Sequence, residues 1–425
     1  MTAFKLLFVT NVYPPIRLGG YEEVCFDFAQ LLTQRGHKVT VLSSTFRVPE
    51  GGLGGDTALR MLRVKSNFRL SKKRRNVFVL LDNLFTEWHN ARIVREVIAR
   101  EGPTFVVVWN GGFLGRHWLT VAERSASVVY YLHDTWLEPA MRPIFRPVRP
   151  KEMSLAKWLY DTGLRLVCAP WSGFLADRTI FISRSLQGEY SQRGVNVGRT
   201  PVLHNGISDE LFPFRAQHIV ARTAGEPFRI IYVGRIAAYK GVTTLVRALQ
   251  KLRALPGLAQ ARLTLVGALQ DEAYERALQE LTSQLGLNGA VELSGQLPRS
   301  ALSEAYAQHD VFAFPSEWNE PFALTLLEAM ATGIPIVATL RGGAAEILRD
   351  GHNAVTCRAG DATDLSQKLS WLLTHPTAAA AIGERASQQI RQDHTIQAQV
   401  SSFESYLQRQ RVRQAEFAAI SLAAH

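Results

Sequence analysis

The stretch RIIYVGRIAAYKG, residues 229–241, joins a short apolar run to a basic turn with a glycine at each end. The first five residues have the length and composition of a buried strand. Gly234 lets the backbone approach a ligand closely, and Gly241 opens an amphipathic stretch that predicts a helix. Arg235 and Lys240 lie between these glycines. A planar guanidinium and a point charge beside a helix N-terminus suit a diphosphate, and a solvated basic turn is the alternative.

The same alternation of apolar runs and amphipathic stretches extends along the chain in both directions. It predicts strands at Lys5–Val9, Lys38–Leu42, Phe105–Trp109, Val128–Leu132, Thr179–Ile182, Leu263–Val266, Val291–Leu293, Val311–Phe314 and Ile336–Ala338. Strands that alternate with helices predict an α/β fold with mostly parallel sheets. A proline-containing break at residues 200–228 separates two such series. We therefore expect two doubly wound domains, with ligands bound at the carboxyl ends of their strands.

Composition sets the class of protein. The 425 residues are 47% hydrophobic and 20% charged, which excludes a wholly disordered or collagen-like chain. The formal net charge is +11, and residues 1–200 hold 28 basic against 16 acidic residues. The excess therefore lies in the N-terminal half and predicts an anionic partner for that half. Nucleic-acid-binding motifs are missing from the sequence.

Three scattered cysteines, Cys25, Cys168 and Cys357, provide neither a disulfide framework nor the spacing of a metal site. We predict buried thiols in a reducing, cytoplasmic compartment. Residues 1–10 lack the features of a signal peptide, and the apolar runs are too short to span a bilayer.

A second motif, PSEWNEPFALTLLEAM, spans residues 315–330. An apolar strand leads into a polar loop that contains Glu320, and a helix follows that contains Glu328. Glu328 interrupts otherwise apolar surroundings, and a buried carboxylate is costly unless it is paired or hydrogen-bonded. A ribose hydroxyl of a ligand or a salt bridge within the domain would each satisfy it.

The two motifs, in this order and at this distance, resemble glycosyltransferase family four, the retaining sugar-nucleotide transferases of the GT-B fold. The resemblance covers nearly the whole chain and includes five further segments: 11–20, 32–42, 204–207, 329–338 and 342–346. It implies two Rossmann-like domains that face a central cleft. An acceptor-binding domain would span residues 1–205, and a donor-binding domain residues 206–399. A C-terminal helix at about 400–425 is expected to pack back on the first domain.

The resemblance also implies roles for single residues. Arg235 and Lys240 would hold the donor diphosphate and stabilise the charge on the leaving group, Glu328 would accept from ribose hydroxyls, and Glu320 would face the transferred sugar. The other donor-binding positions act mainly through their backbones: Gly19, Gly20, Gly234, Pro321, Phe322, Ala323 and Leu324.

One part of the donor loop departs from the family's common Glu-Gly-Phe-Gly pattern. Pro321 and Ala323 occupy the two glycine positions. Proline removes one N–H donor, and alanine is unfavourable wherever a positive φ is required. The two substitutions therefore affect the expected contacts between this loop and the transferred sugar, and leave the family resemblance intact.

His133 is a further catalytic candidate because it follows the apolar run Val128–Leu132, at the carboxyl end of a predicted strand. Without the family, a lone histidine is more often structural. The resemblance matches it to an acceptor-side histidine, and Asp134 beside it would orient it or contact the acceptor.

The reaction implied by the family keeps the anomeric configuration and proceeds on one face of the sugar. The acceptor domain shows no obvious pair of nucleophilic carboxylates. The resemblance implies that the leaving phosphate itself takes the acceptor's proton. An Asp-x-Asp motif is missing, so we predict neither a metal ion nor another cofactor. UDP-sugar is the expected donor, GDP-sugar the next choice, and a glycan or lipid-linked glycan hydroxyl the acceptor.

Two basic clusters, Arg60–Arg75 and Arg142–Lys151, account for much of the N-terminal excess of charge. Apolar residues interleave with the cations, which suits the anionic inner face of the cytoplasmic membrane. An ordinary solvated basic loop is the alternative.

Other functions compete with transfer. A sugar-nucleotide epimerase or hydrolase of the same fold would need no acceptor, and a catalytically silent scaffold or membrane-binding protein would need no catalytic residues. A nicotinamide oxidoreductase is disfavoured because a strand leading into GxGxxG is missing.

Overall fold

The structure is a computed structural model that describes residues 3–16, 19–48, 58–65, 77–137, 176–215 and 226–423. The strands of these residues are Lys5–Thr10 (β1), Lys38–Ser44 (β2), Ala58–Leu62 (β3), Phe105–Asn110 (β4), Val128–Leu132 (β5), Thr179–Phe181 (β6), Arg229–Val233 (β7), Arg262–Val266 (β8), Val291–Gly295 (β9), Val311–Phe314 (β10), Ile336–Thr339 (β11) and Val355–Cys357 (β12). The helices are Tyr21–Gln34 (α1), Val77–Glu101 (α2), His117–Ser125 (α3), Arg184–Gln192 (α4), Val242–Arg253 (α5), Glu272–Gln284 (α6), Arg299–Ala307 (α7), Leu324–Thr332 (α8), Ala344–Ile347 (α9), Ala362–Thr374 (α10), Pro376–Asp393 (α11) and Ile396–Ala423 (α12).

The chain divides into two compact units. Unit 1 contains residues 1–203 and 400–425, and unit 2 contains residues 204–399. The sequence predicted the boundaries after residues 205 and 399.

The sheet of unit 1 has the strand order β3-β2-β1-β4-β5-β6, and all its neighbouring strands are parallel. Every residue of β4 and β5 is buried, as expected for strands covered on both faces. Aromatic rings fill one side of this sheet, where Phe28 of α1 packs edge-on against Trp109 and Tyr131. The unit therefore buries large side chains directly behind the ends of its central strands.

The sheet of unit 2 is also parallel, with the order β12-β11-β10-β7-β8-β9. Helix α5 covers one side with a row of buried apolar residues that includes Val242, Leu245 and Leu249. The amphipathic pattern after Gly241 thus forms the helix that it predicts.

Strand order reverses once in each sheet, and the reversal determines where a ligand can bind. In unit 1 the chain runs outward from β1 to β3 and then returns beside β1 as β4; in unit 2 the reversal lies between β7 and β10. The loops that follow such a pair of strands diverge and leave a crevice at the carboxyl edge. The basic turn of residues 234–241 follows β7, and the loop of residues 315–323 follows β10, so both predicted donor motifs lie at the reversal in unit 2.

The final helix α12 contributes to unit 1 through a buried polar contact. Glu404 is 5% exposed, and its carboxylate lies 2.5 Å from Arg35 Nη1 and 2.8 Å from His37 Nε2. The other ring nitrogen of His37, Nδ1, accepts a hydrogen bond from the Phe4 N–H at 3.0 Å. His37 therefore joins Phe4, the residue before β1, to the last helix of the unit.

Two of the three cysteines lie in the described residues, and both Cys25 and Cys357 are buried free thiols. Burial raises the pKa of the Cys357 thiol to about 12. Cys168 lies outside the described residues. Among the helices of the described ranges, none combines the length and the apolar character that crossing a bilayer requires.

Candidate active site

The basic turn after β7 is shaped by glycines that tolerate no side chain. A Cβ on Gly241, which has φ +74°, would lie 1.9 Å from the carbonyl oxygen of Pro315. A Cβ on Gly267, with φ +144°, would lie 1.8 Å from the carbonyl oxygen of Gly234. Tyr232 closes the turn by donating its hydroxyl to the Arg235 carbonyl at 2.8 Å. Close backbone packing thus sets the path of the turn, and the Arg235 side chain is exposed beyond it.

Lys240 and Glu320 come from different loops and form an ion pair. Lys240 Nζ lies 2.7 Å from Glu320 Oε2, and the two side chains are 15% and 11% exposed. The ammonium also lies 5.3 Å from the centre of the Trp318 ring and 5.7 Å from that of Tyr239. Partial burial strengthens such a pair relative to a fully exposed one. The structure therefore brings together two predicted site residues that are 80 positions apart in the sequence.

Backbone contacts hold the loop that contains Glu320 in place. The Gly343 N–H donates to the Glu320 carbonyl at 2.8 Å, and the Thr339 hydroxyl donates to the Ser316 carbonyl at 2.6 Å. Gly342 has φ +59°, and a Cβ there would lie 2.0 Å from the Glu320 carbonyl oxygen. Gly342 and Gly343, just before α9, therefore support the loop that contains Glu320. This contact explains why two glycines occur there.

The loop accommodates Ala323, one of its two unusual residues. Ala323 precedes α8 with φ −81° and ψ 120°, an ordinary extended conformation, so its position requires no glycine. Phe322 stacks on the imidazole of His204, with ring centres 4.7 Å apart, and His204 Nε2 lies 2.9 Å from Glu346 Oε2. Pro321 directly precedes Phe322 in the chain, and Leu324 follows Ala323 as the first residue of α8. The sequence did not indicate that His204 supports the loop.

Glu328 lies within α8 and is 4% exposed. The Tyr306 hydroxyl donates to its Oε2 at 3.3 Å, and Arg299 Nε lies 3.9 Å from its Oε1. Burial, and then the nearby Glu328 carboxylate, raise the pKa of Tyr306 well above its usual value. Of the two alternatives for Glu328, a salt bridge within the domain and a ribose hydroxyl, the salt bridge is therefore present. Ribose binding at Glu328 stays a prediction.

In unit 1, loops after three strands meet through side-chain hydrogen bonds. Asn11, after β1, donates to the Gly112 carbonyl at 3.1 Å and accepts from the Tyr21 hydroxyl at 3.1 Å. Asn110, at the end of β4, donates to Asp134 at 3.2 Å. The Asn110 position was missed from the sequence. Asn110 directly follows the predicted strand Phe105–Trp109, just as His133 directly follows the predicted strand Val128–Leu132.

His133 follows β5 and is 5% exposed. Its ring stacks on Trp109 with centres 4.6 Å apart, and neither ring nitrogen has a hydrogen-bond partner among the described residues. Burial lowers the pKa of His133 to about 3, so the imidazole is neutral at physiological pH. A neutral imidazole with two unpartnered nitrogens is suited to a hydrogen bond with a ligand.

Asp134 is held beside His133 by its neighbours. Its carboxylate accepts from the Trp136 N–H at 2.7 Å as well as from Asn110, and burial raises its pKa. The Tyr190 hydroxyl donates to its carbonyl oxygen at 3.1 Å. These contacts orient the Asp134 carboxylate at the carboxyl edge of the sheet.

The glycines of the N-terminal loop lead into α1. Gly20 is the N-cap residue of that helix, with φ −94°, and the Gly19 N–H donates to the buried Glu22 carboxylate at 3.0 Å. The Gly19 N–H is therefore already engaged in this structure.

The basic cluster at residues 60–75 is described only in part. Arg60 donates to the Pro14 carbonyl at 2.7 Å, Arg63 pairs with Asp82 at 2.9 Å, and Lys65 Nζ lies 2.5 Å from the buried Glu87. The described cations thus bind the protein itself. Residues 66–76 of this cluster and all of Arg142–Lys151 lie outside the described residues.

Comparisons with known proteins identify the family. The family model described as Glycosyltransferase Family 4 matches residues 18–211, and the model described as Glycosyl transferases group 1 matches residues 214–389. A D-inositol 3-phosphate glycosyltransferase of Stackebrandtia nassauensis is 35% identical over 176 residues, and the alignment spans 40% of each chain. A glycogen synthase of Mycobacterium tuberculosis is 26% identical over 92% of this chain and 91% of its own.

Among solved structures, Anabaena HepE, crystallised with UDP and glucose, is similar with a TM-score of 0.66. It is 20% identical, and the alignment covers 95% of this chain and 99% of that one, so this likeness concerns the fold. It confirms the predicted α/β class and the GT-B fold. The chain belongs to glycosyltransferase family four and is a glycosyltransferase.

Proposed function

We propose that this enzyme transfers a sugar, with retention of configuration, from a nucleotide-diphosphate sugar to a hydroxyl of a glycan or lipid-linked glycan. The observation that carries the proposal is the ion pair between Lys240 and Glu320 at the reversal of strand order in unit 2. A fixed cation there would stabilise the charge that grows on the leaving diphosphate. The Glu320 carboxylate would hold the Lys240 ammonium in place and would accept a hydrogen bond from a hydroxyl of the sugar.

Two further features support the donor assignment. Arg235 extends from the backbone-closed turn after β7, where its guanidinium would bind phosphate oxygens in a bidentate manner. Glu328 is buried behind the loop, and a ribose hydroxyl would become an additional donor to its carboxylate. A UDP-sugar is the favoured donor because HepE was crystallised with UDP, and a GDP-sugar is the next choice.

On the acceptor side, His133 and Asp134 would receive the hydroxyl group. His133 is neutral and has no partner among the described residues for either nitrogen, so it would accept a hydrogen bond from that hydroxyl. The proton itself would pass to the leaving phosphate, and the charges needed for this step come from Arg235 and Lys240. We propose that the step is independent of metal. We also propose that the enzyme is cytoplasmic and works at the inner face of the cytoplasmic membrane.

Replacement of the phosphate-binding cations tests the proposal. Lys240→Ala and Arg235→Ala should each lower kcat by about 100- to 1,000-fold, the usual effect of removing one charge-stabilising donor. Lys251→Ala, which removes an exposed cation from the last turn of α5, is the matched control and should retain full activity. Near-normal turnover in both site variants would refute the donor assignment.

The identity of the donor is tested by binding before acceptors are known. UDP-, GDP-, ADP- and dTDP-sugars are compared by thermal shift, since a ligand at 100 times its Kd stabilises a protein by about 2.7 kcal/mol. We expect the UDP-sugar to produce the largest shift. Rapid loss of the sugar nucleotide without any acceptor would instead favour an epimerase or a hydrolase.

A further inference from the structure

Helix α2 carries a row of large apolar side chains on its solvent side. Phe78, Leu81, Phe85 and Trp88 are 78%, 56%, 47% and 50% exposed; we name these four residues the apolar stripe. Their spacing of three, four and three residues places them on one helical face. A contiguous exposed apolar patch of this kind typically marks an interaction surface.

The opposite face of α2 is fixed, so the helix cannot rotate to bury the stripe. Glu87 is fully buried and accepts from the Arg116 and His117 N–H groups at 2.6 and 2.9 Å. Asn90 is fully buried as well, and it donates to the carbonyl oxygens of Arg63 and Leu114. Losing these hydrogen bonds would leave buried polar groups unsatisfied. The outward orientation of the stripe is therefore built into the fold.

Cations border the apolar stripe. The Arg63 guanidinium lies 5.2 Å from the centre of the Phe85 ring, and that of Arg92 lies 5.8 Å from the Trp88 ring. The described residues 60–65 and 77–100 contain six Lys and Arg against three Asp and Glu. Each of the three acidic residues is paired within the unit, to Arg63, Lys65 and Arg92 respectively. The described residues around the stripe therefore carry a net positive charge.

We propose that helix α2 lies on an anionic membrane surface, with the apolar stripe inserted at the level of the lipid headgroups. Exposed aromatic rings suit the boundary between headgroups and acyl chains, and the bordering cations suit anionic lipids. The occupant is a lipid surface because the patch combines insertion-type side chains with an excess of positive charge. The inference rests on the proposed work at a membrane, and it names helix α2 as the contact surface, next to Arg63 of the basic cluster expected from the sequence.

Vesicle co-sedimentation of the full-length protein, without substrates, tests this surface. Wild type should bind phosphatidylglycerol vesicles at least tenfold more tightly than phosphatidylcholine vesicles. The triple variant Leu81→Ser/Phe85→Ser/Trp88→Ser should lose at least tenfold in affinity for the anionic vesicles. The control Leu255→Ser/Val412→Ser, which removes exposed apolar residues elsewhere, should bind as wild type does.

Several results would overturn the proposal. Equal and negligible binding of wild type to both vesicles would do so, as would wild-type binding by the triple variant. Dimers of the wild type that become monomers in the triple variant, without vesicle binding, would assign the stripe to a second copy of the chain. Circular dichroism checks that the variants fold, and nucleotide-sugar binding, measured separately, shows whether the transferase proposal stands when the membrane proposal fails.

Discussion

The surroundings of Lys240 and of His133 suit each residue to a different group of a substrate. Lys240 lies beside the Glu320 carboxylate and two aromatic rings. His133 lies among aromatic rings without a counter-charge, and burial alone lowers its pKa to about 3. The first residue is suited to a developing negative charge and the second to a neutral hydroxyl.

The low pKa of His133 makes the stability of the protein depend on pH. The unfolded chain has an imidazole pKa of about 6.5, so below that pH the unfolded state binds a proton that the folded state excludes. This contribution to the free energy of unfolding therefore falls as the pH falls from about 6.5 to about 3, by about 1.4 kcal/mol per pH unit. Urea unfolding of the wild type at pH 7 and pH 5 measures the loss.

The variant His133→Phe separates this contribution from that of other groups. Phenylalanine retains an aromatic ring against Trp109 and cannot be protonated, so the loss between pH 7 and pH 5 should be smaller by about 2 kcal/mol. His352→Gln, which replaces an exposed histidine, is the control and should keep the wild-type loss. An unchanged pH dependence in His133→Phe would contradict a buried neutral imidazole.

At the scale of elements, the sequence predicted strands more reliably than helices. Strands β5, β7 and β10 have the predicted bounds because each is a short, continuously apolar run covered on both faces. The 25-residue helix α2 was missed. Its apolar stripe adds hydrophobic residues to the face that should be polar, and this weakens the helical period. The edge strands β3 and β12 were also missed, because a half-buried polar residue, Arg60 or Thr356, interrupts the apolar run in each of them.

The turn between β7 and α5 depends on the absence of a side chain at Gly241. Gly257 has a similar φ, +78° against +74°, but a Cβ there would meet nothing within 4 Å. Gly257→Ala should therefore lower the free energy of unfolding by only about 1–2 kcal/mol, the cost of holding alanine in the left-handed conformation. Gly241→Ala should cost more, since the alanine methyl would also displace the Pro315 carbonyl.

Chemical denaturation of the two alanine variants compares these costs. Nucleotide-sugar binding adds a second readout, because displacement of Pro315 would also move the loop that contains Glu320. We expect Gly241→Ala to weaken binding and Gly257→Ala to leave it unchanged. Equal stability and equal binding in both variants would show that the close approach to Pro315 is unimportant.

At the scale of the whole molecule, the chain completes unit 1 only with its last helix. Glu404 of α12 is buried against Arg35 and His37, which both precede β2. Tyr406, also in α12, donates to the Asp177 carbonyl at 3.1 Å. The contacts join residues more than 200 positions apart in the chain. Removal of α12 would therefore affect the N-terminal unit.

A substitution at Glu404 tests this attachment. Arg35 is 27% exposed in its pair with Glu404, so solvent would still reach the guanidinium, and Glu404→Gln should destabilise unit 1 by about 1–3 kcal/mol. Glu416→Gln, at an exposed position of the same helix, should leave stability unchanged. The two variants are compared by urea unfolding, and similar midpoints would show that the Glu404 pairs contribute little.

The sequence by itself determined the fold class, the family and the main candidates for the donor site. Apolar runs and glycine-flanked turns are local patterns, and Arg235, Lys240, Glu320 and Glu328 occur within such patterns. A motif has to be continuous in sequence to be recognised from one chain. The carboxyl end of a strand is also a local signal; it made His133 a candidate, and the family resemblance then supported an acceptor-side role.

Only the tertiary structure decided which of these groups meet and what each environment does. The pairing of Lys240 with Glu320, the stacking of His204 on Phe322 and the attachment of Glu404 to His37 join segments that are distant in the chain. The burial of His133 also depends on distant segments, because the aromatic rings around it come from two separate strands. Distances and desolvation depend on folded coordinates, and no local pattern contains them.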